Sequence, residues 1–168
     1  MMVVLSSVTK RTHLFSNMKT RLTFRSWFVV LGFIYQCASA GDMMSFESWK
    51  KSTPNWAKDE SELGYALTRC GVLFQLVGVY VTENGAKTDK KMGESFIDDG
   101  KNLLSIGLFT SAKNGMNDDS IRRRHKVIMD TYVSDIKKNK SLNNNFLYGD
   151  TGSDVQFCGT LNKTVKEP

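Results

Sequence analysis

Glycine recurs at every seventh residue in two runs, Gly64, Gly71 and Gly78, then Gly93, Gly100 and Gly107, with Asn84-Gly85 between them. Around each run the apolar residues follow the three-and-four spacing of a buried helix face. A glycine inside a helix costs close to 1 kcal/mol relative to alanine, so six at one period call for a compensating contact. A chain that folds back at Asn84-Gly85 brings Gly64 opposite Gly107, Gly71 opposite Gly100 and Gly78 opposite Gly93. With no side chain on either partner, the two helices are expected at or below the low end of the usual ~8–10 Å separation.

Three long helices can be read directly. The first, 59–83, has Asp59, Glu60 and Glu62 at its start, which suits the helix dipole. It buries Leu63, Ala66, Leu67, Cys70, Phe74, Val77 and Val81, and from Gly71 to Val81 nearly every side is apolar. That pattern belongs to a central helix. The second, 89–112, directs Met92, Phe96, Leu103 and Ile106 inward. The third starts at Asp118 or Asp119 and runs to about Lys140, with Ile121, His125, Ile128, Tyr132 and Ile136 as its stripe. A short fourth helix from Ser153 carries Val155, Cys158 and Leu161. The expected fold is all-α: a small antiparallel helical bundle of three main helices plus a short C-terminal helix, closed by one disulfide.

The disulfide follows from the N-terminus. From Met18 the chain shows a basic stretch (Lys19, Arg21, Arg25), an apolar run from Trp27 to Tyr35, and Ala38-Ser39-Ala40. These are the three parts of a cleavable signal peptide, and the apolar run is far short of the roughly 20 residues of a membrane span. Residues 1–40 are therefore read as a signal peptide, with Met18 as the expected true start. The domain plan continues with a lead-in segment at 41–57, a helical domain at 58–161 and a C-terminal tail at 162–168. Cleavage removes Cys37 and leaves Cys70 and Cys158, an even pair in an exported, periplasmic or secreted chain. A bridge closing so long a loop would restrict the unfolded chain by about 4–5 kcal/mol on the chain-entropy model.

Net charge needs the same correction. Of 23 basic residues, five lie in 1–40, which leaves 18 against 17 acidic residues. So near-neutral a mature chain offers no broad basic surface for nucleic acid. Membrane contact after cleavage is not expected either, because the longest uncharged stretch, Cys70 to Thr82, falls short of a span.

Individual residues point weakly to chemistry. His125 is the one histidine of the mature chain. It could act as a general base, but its place in an apolar stripe suits a core or boundary histidine as well. Arg122-Arg123-Arg124 cannot share one helix face, since consecutive residues point about 100° apart. Phe146 and Tyr148 sit in a polar loop, where they either make a recognition surface or fold down on the core. The oxygens of Asp150-x-Gly152-x-Asp154 lack the EF-hand spacing and read as helix capping by Ser153 or Asp154. No haem, zinc, di-iron, phosphate-loop or nucleophile-elbow motif is present, so neither a metal nor a cofactor is expected.

The leading expectation for function is a non-enzymatic binding or structural module outside the cytoplasm, with a protein or small molecule as partner. His125, Phe146 and Tyr148 are its candidate binding residues. The alternatives are an enzyme with a dispersed site around His125, and a membrane-active protein using the glycine-spaced helices.

Overall fold

The computed structural model describes residues 43–167. The export signal read at 1–40, and the start at Met18, lie outside them. The described residues form five α-helices and no strand: α1 Phe46–Ser52, α2 Glu60–Asn84, α3 Lys90–Lys113, α4 Asp118–Asn143 and α5 Asp150–Lys166. A 3₁₀ turn, Lys87–Asp89, leads into α3. The fold is all-α, and Cys70 is bridged to Cys158 with their Cα atoms 5.2 Å apart.

Local chemistry sets several boundaries. Asp59 caps α2, its carboxylate accepting from the backbone N–H of Ser61 (2.9 Å) and Glu62 (3.2 Å). Asn117 caps α4 by accepting from Ser120 N at 2.9 Å. Asn144, at φ 50°, ends α4 in the left-handed conformation that asparagine tolerates.

Both ends of the domain are helical. The lead-in holds a seven-residue helix, because Phe46 and Trp49 are both buried and Ser45 caps its start. The region read as a 162–168 tail is helical to Lys166. There Asn162 Nδ2 and Lys166 Nζ both donate to the Asp99 carboxylate on α3, at 2.8 and 2.7 Å. These two contacts fasten the last turns to the domain.

Along the α2–α3 seam, the closest helix pairing in the domain, glycine faces glycine. A Cβ built on Gly71 would lie 2.5 Å from Leu104 N, one on Gly78 2.6 Å from Gly93 O, and one on Gly107 2.5 Å from Thr68 N. Gly64 meets Ser111 and Gly107 O, while Gly100 meets Gln75 and Gly71 O. Each glycine thus takes in the residue four positions after its opposite glycine: Thr68 over Gly107, Gln75 over Gly100, Thr82 over Gly93, and in return Ser111, Leu104 and Ile97 over Gly64, Gly71 and Gly78. On α2 those same residues also hydrogen-bond back to glycine carbonyls, Thr68 to Gly64 O, Gln75 to Gly71 O and Thr82 to Gly78 O. Polar side chains can therefore sit in the seam without losing their partners.

The seam overturns one expectation. Met92 and Ile106, read as inward, are 50% and 39% exposed. On a helix wheel the glycine face of α3 is turned well away from the stripe of Met92, Phe96, Leu103 and Ile106. Packing by glycine therefore rotates α3 and brings only Leu103 into the core, with Phe96 half-buried edge-on against Phe74 at 5.1 Å.

The other faces of α2 are covered by larger side chains. α4 runs parallel to α2, since Arg124 lies over Tyr65, Tyr132 reaches Arg69, and residues 133–141 lie beside 76–83. α5 crosses near Cys70, and α1 closes the N-terminal end through a ring cluster in which Phe46 meets Phe157 (4.3 Å) and Trp49 meets Tyr65 (5.6 Å).

Alanine is the better helix former, yet Gly71→Ala should destabilise the protein by about 1–3 kcal/mol, because its methyl meets backbone and not a movable side chain. Gly159 on α5 has nothing within 4 Å of a built Cβ. Gly159→Ala should instead stabilise, by up to about 1 kcal/mol. Urea unfolding of the two variants would show opposite signs.

Candidate functional site

The most chemically loaded cluster is one the sequence reading did not assemble. Arg69, 1% exposed, donates from Nε to the Tyr132 hydroxyl (2.8 Å) and from Nη2 to Asp154 Oδ2 (2.5 Å). Tyr132 in turn donates to Asp154 Oδ2 at 2.6 Å, and Asp154 Oδ1 accepts the Phe46 backbone N–H at 2.9 Å. The guanidinium also lies 4.1 Å from the centre of the Phe46 ring. Asp154 was expected to cap the last helix. It sits one turn inside instead, with Gly149 at the N-cap position, and its carboxylate serves the core.

Electrostatics within the cluster are one-sided. Burial works against the Arg69 charge, but the oxygens of Tyr132 and Asp154 outweigh it and hold the guanidinium above its ordinary value. Burial pushes the Tyr132 phenol well above its ordinary value, with Asp154 adding to the shift and Arg69 opposing it. A protonated tyrosine bridging a fixed ion pair, with every member buried, offers no face to a substrate. It binds the helices together.

The sequence-picked residues do not converge. His125 is half-buried on α4 and makes no hydrogen bond or ion pair among the described residues. In the arginine run, Arg122 and Arg123 are exposed, while Arg124 is half-buried with its guanidinium 5.5 Å from the Tyr65 ring centre. Phe146 folds down and stacks on Tyr80 at 4.0 Å, whereas Tyr148 stays 56% exposed. Asn139 Nδ2 holds their loop through Tyr148 O and Thr151 Oγ1, at 2.9 and 3.2 Å. Among the described residues no group of three His, Cys, Asp or Glu side chains is placed to hold a metal ion.

An open groove of about 420 Å³ lies between the C-terminal halves of α2 and α4. Leu76, Val79, Tyr80, Val133 and Ile136 form its apolar and aromatic walls, and Glu83, Lys137, Lys140 and Ser141 complete the lining. The ring, ion-pair and disulfide contacts of α1 and α5 with α2 fall at Tyr65, Arg69 and Cys70, in its first half. Past Phe74 the apolar helix has α3 and α4 beside it; Val77 is still buried there, but Val79 is left 43% exposed. Phe146 backs Tyr80 and so connects the loop to the groove wall. α2 is long and apolar enough to cross a bilayer, but 67% of its most apolar window is buried inside the domain.

Comparison with protein-family models, with curated proteins and with solved structures finds no match to this chain.

Asp154→Ala should cost about 3–5 kcal/mol, because it strands the Arg69 charge in the core. Tyr132 supplies a pH test. Its folded-state value is raised, so its contribution is complete below about pH 10, the range of a free phenol, and is lost as pH climbs from there toward the folded value. Wild-type stability should therefore fall more steeply above pH 10 than that of Tyr132→Phe, by up to about 1.4 kcal/mol per pH unit. Urea titrations at pH 9, 10 and 11 would read the difference.

Proposed function

We propose that the protein is an exported, non-enzymatic binding module that works outside the cytoplasm and holds a small apolar molecule in the groove between α2 and α4. The observation that carries this reading is the groove itself: five apolar or aromatic walls in a volume of about 420 Å³, inside the range of small-molecule sites. Its charged groups are Glu83, Lys137 and Lys140 alone, and apolar or aromatic walls make up most of the rest. Such a lining suits binding, where shape and desolvation supply the affinity and a few polar groups set orientation.

Export is supported by the order of basic, apolar and small residues ending at Ala40, and by the disulfide, a bond that persists in oxidising compartments. Closing 88 residues of chain with one bond also suits a small domain that must hold its shape without cellular maintenance.

Two measurements test the reading. Expressed in a secretion-competent host, the full chain should appear outside the cytoplasm with Gly41 as its first residue and no free thiol, as read by intact mass. Retention of residues 1–40 would overturn the export half. A neutral solvatochromic dye should bind the mature protein saturably at one site, and Val79→Trp, which fills the groove from its exposed side, should abolish that binding. Dye binding that survives the substitution would place the ligand elsewhere.

A further inference from the structure

The groove is graded along its length. Because α2 and α4 run parallel there, low-numbered residues of both helices meet at one end and high-numbered residues at the other. Leu76, Val79 and Val133 make the first end apolar, Lys137 stands midway along the α4 lining, and Glu83 and Lys140 make the second end charged. From Val133 to Ser141 the helical rise spans roughly 12 Å. An apolar trough running into cations is complementary to a molecule with an apolar body and an anionic tip.

The charge balance of the lining narrows the choice. Lys137 makes no hydrogen bond or ion pair among the described residues, and Lys140 spends one donor on Asn144 Oδ1 at 2.9 Å. An ammonium has three donors, so both lysines keep capacity for a ligand. Neither forms an ion pair with Glu83, although all three line the groove. Two cations and one carboxylate leave a net single positive charge, which suits a monoanionic head better than a doubly charged phosphate. Nine residues line the groove, against about 20–30 a side for a stable protein interface, so a protein partner is a poor fit.

We propose that the groove takes a free single-chain carboxylate amphiphile, its hydrocarbon chain along Leu76, Val79 and Val133 and its carboxylate at Lys137 and Lys140. This assignment rests on the groove being the binding site. Tyr80 closes the wall between chain and head, and its stacking on Phe146 keeps that wall in place.

The test is calorimetric titration of the mature, disulfide-bonded protein with dodecanoate and with dodecanol, both below the concentrations at which they aggregate. Dodecanoate should bind one to one and about ten-fold more tightly than the alcohol, the order expected of one partly exposed charge-assisted contact. The double variant Lys137→Gln/Lys140→Gln should lose that advantage without losing the alcohol. Glu83→Gln should tighten the acid alone, and added salt should weaken the acid alone. Equal affinity for acid and alcohol, unmoved by the lysine changes but lost in Val79→Trp, would overturn the head-group assignment and leave the groove as the site. Binding that persists in both Val79→Trp and Val133→Trp, or absence of binding by either probe, would overturn the groove reading as well. Circular dichroism melts on each variant separate a lost site from a lost fold, and Val79 is exposed enough for a change there to be tolerated.

Discussion

Arg69 is a full charge placed where almost no water reaches, and the domain is arranged around neutralising it. Its partners come from three other helices: Tyr132 from α4, Asp154 from α5 and the Phe46 ring from α1. Removing two charges from water costs several kcal/mol each, offset here by the bonds of Nε and Nη2, while Nη1 has no hydrogen-bond partner among the described residues. Four helices must therefore be in register at once for the cluster to form at all. Next to it in sequence, Cys70 is bridged to Cys158, one turn of α5 beyond Asp154. A covalent bond and an ion pair thus fasten the same two helices at the same level. The disulfide limits how far α5 can stray in the unfolded chain, and the ion pair selects one orientation from those the disulfide allows.

The second constraint works by absence. Along α2 and α3 the missing glycine side chains let backbone meet backbone, and the residues that fill the remaining space come from the turn above or below. Close approach brings carbonyl oxygens to where the Cβ of a facing glycine would otherwise lie, as Gly93 O does at Gly78 and Gly71 O at Gly100. The seam also decides the rotation of α3. Its large side chains are displaced sideways, which accounts for the exposure of Met92 and Ile106. A helix placed by its smallest residues cannot also direct its largest ones to the same neighbour.

Those two constraints account for the groove. The ion pair, the bridge and the ring cluster all act on the first half of α2, while the glycine seam occupies one side of its whole length. Nothing of comparable strength draws a helix onto the far half, where Leu76, Val79 and Tyr80 continue the apolar character of the core. On the side away from the α3 seam α4 approaches there through side chains of ordinary size, and ordinary spacing leaves room between the helices. A helix apolar on every side in a domain with too few helices to cover it leaves a concave apolar surface, and two cations of α4 happen to fall within its lining.

Several of these features are local enough to be written in the sequence. Helix positions follow from spacing and caps, and the even pair of cysteines in a chain with an export-type N-terminus points to a bridge. The period of seven on both sides of Asn84-Gly85 dictates which glycines can meet. One further signal was present and carried more than was read from it. Between Glu62 and Glu83 the only charged residue is Arg69, and a lone charge in an apolar helix demands a buried partner. The sequence names that need without naming Asp154 or Tyr132, because pairing across 85 and 63 residues is settled by how helices cross. The groove was less legible still. Leu76, Val79 and Val133 look like any other core residues in one dimension, and only the tertiary structure decides which of them lacks a neighbour. Local periodicity states what each helix can bury; how many other helices reach it is a property of the assembled domain.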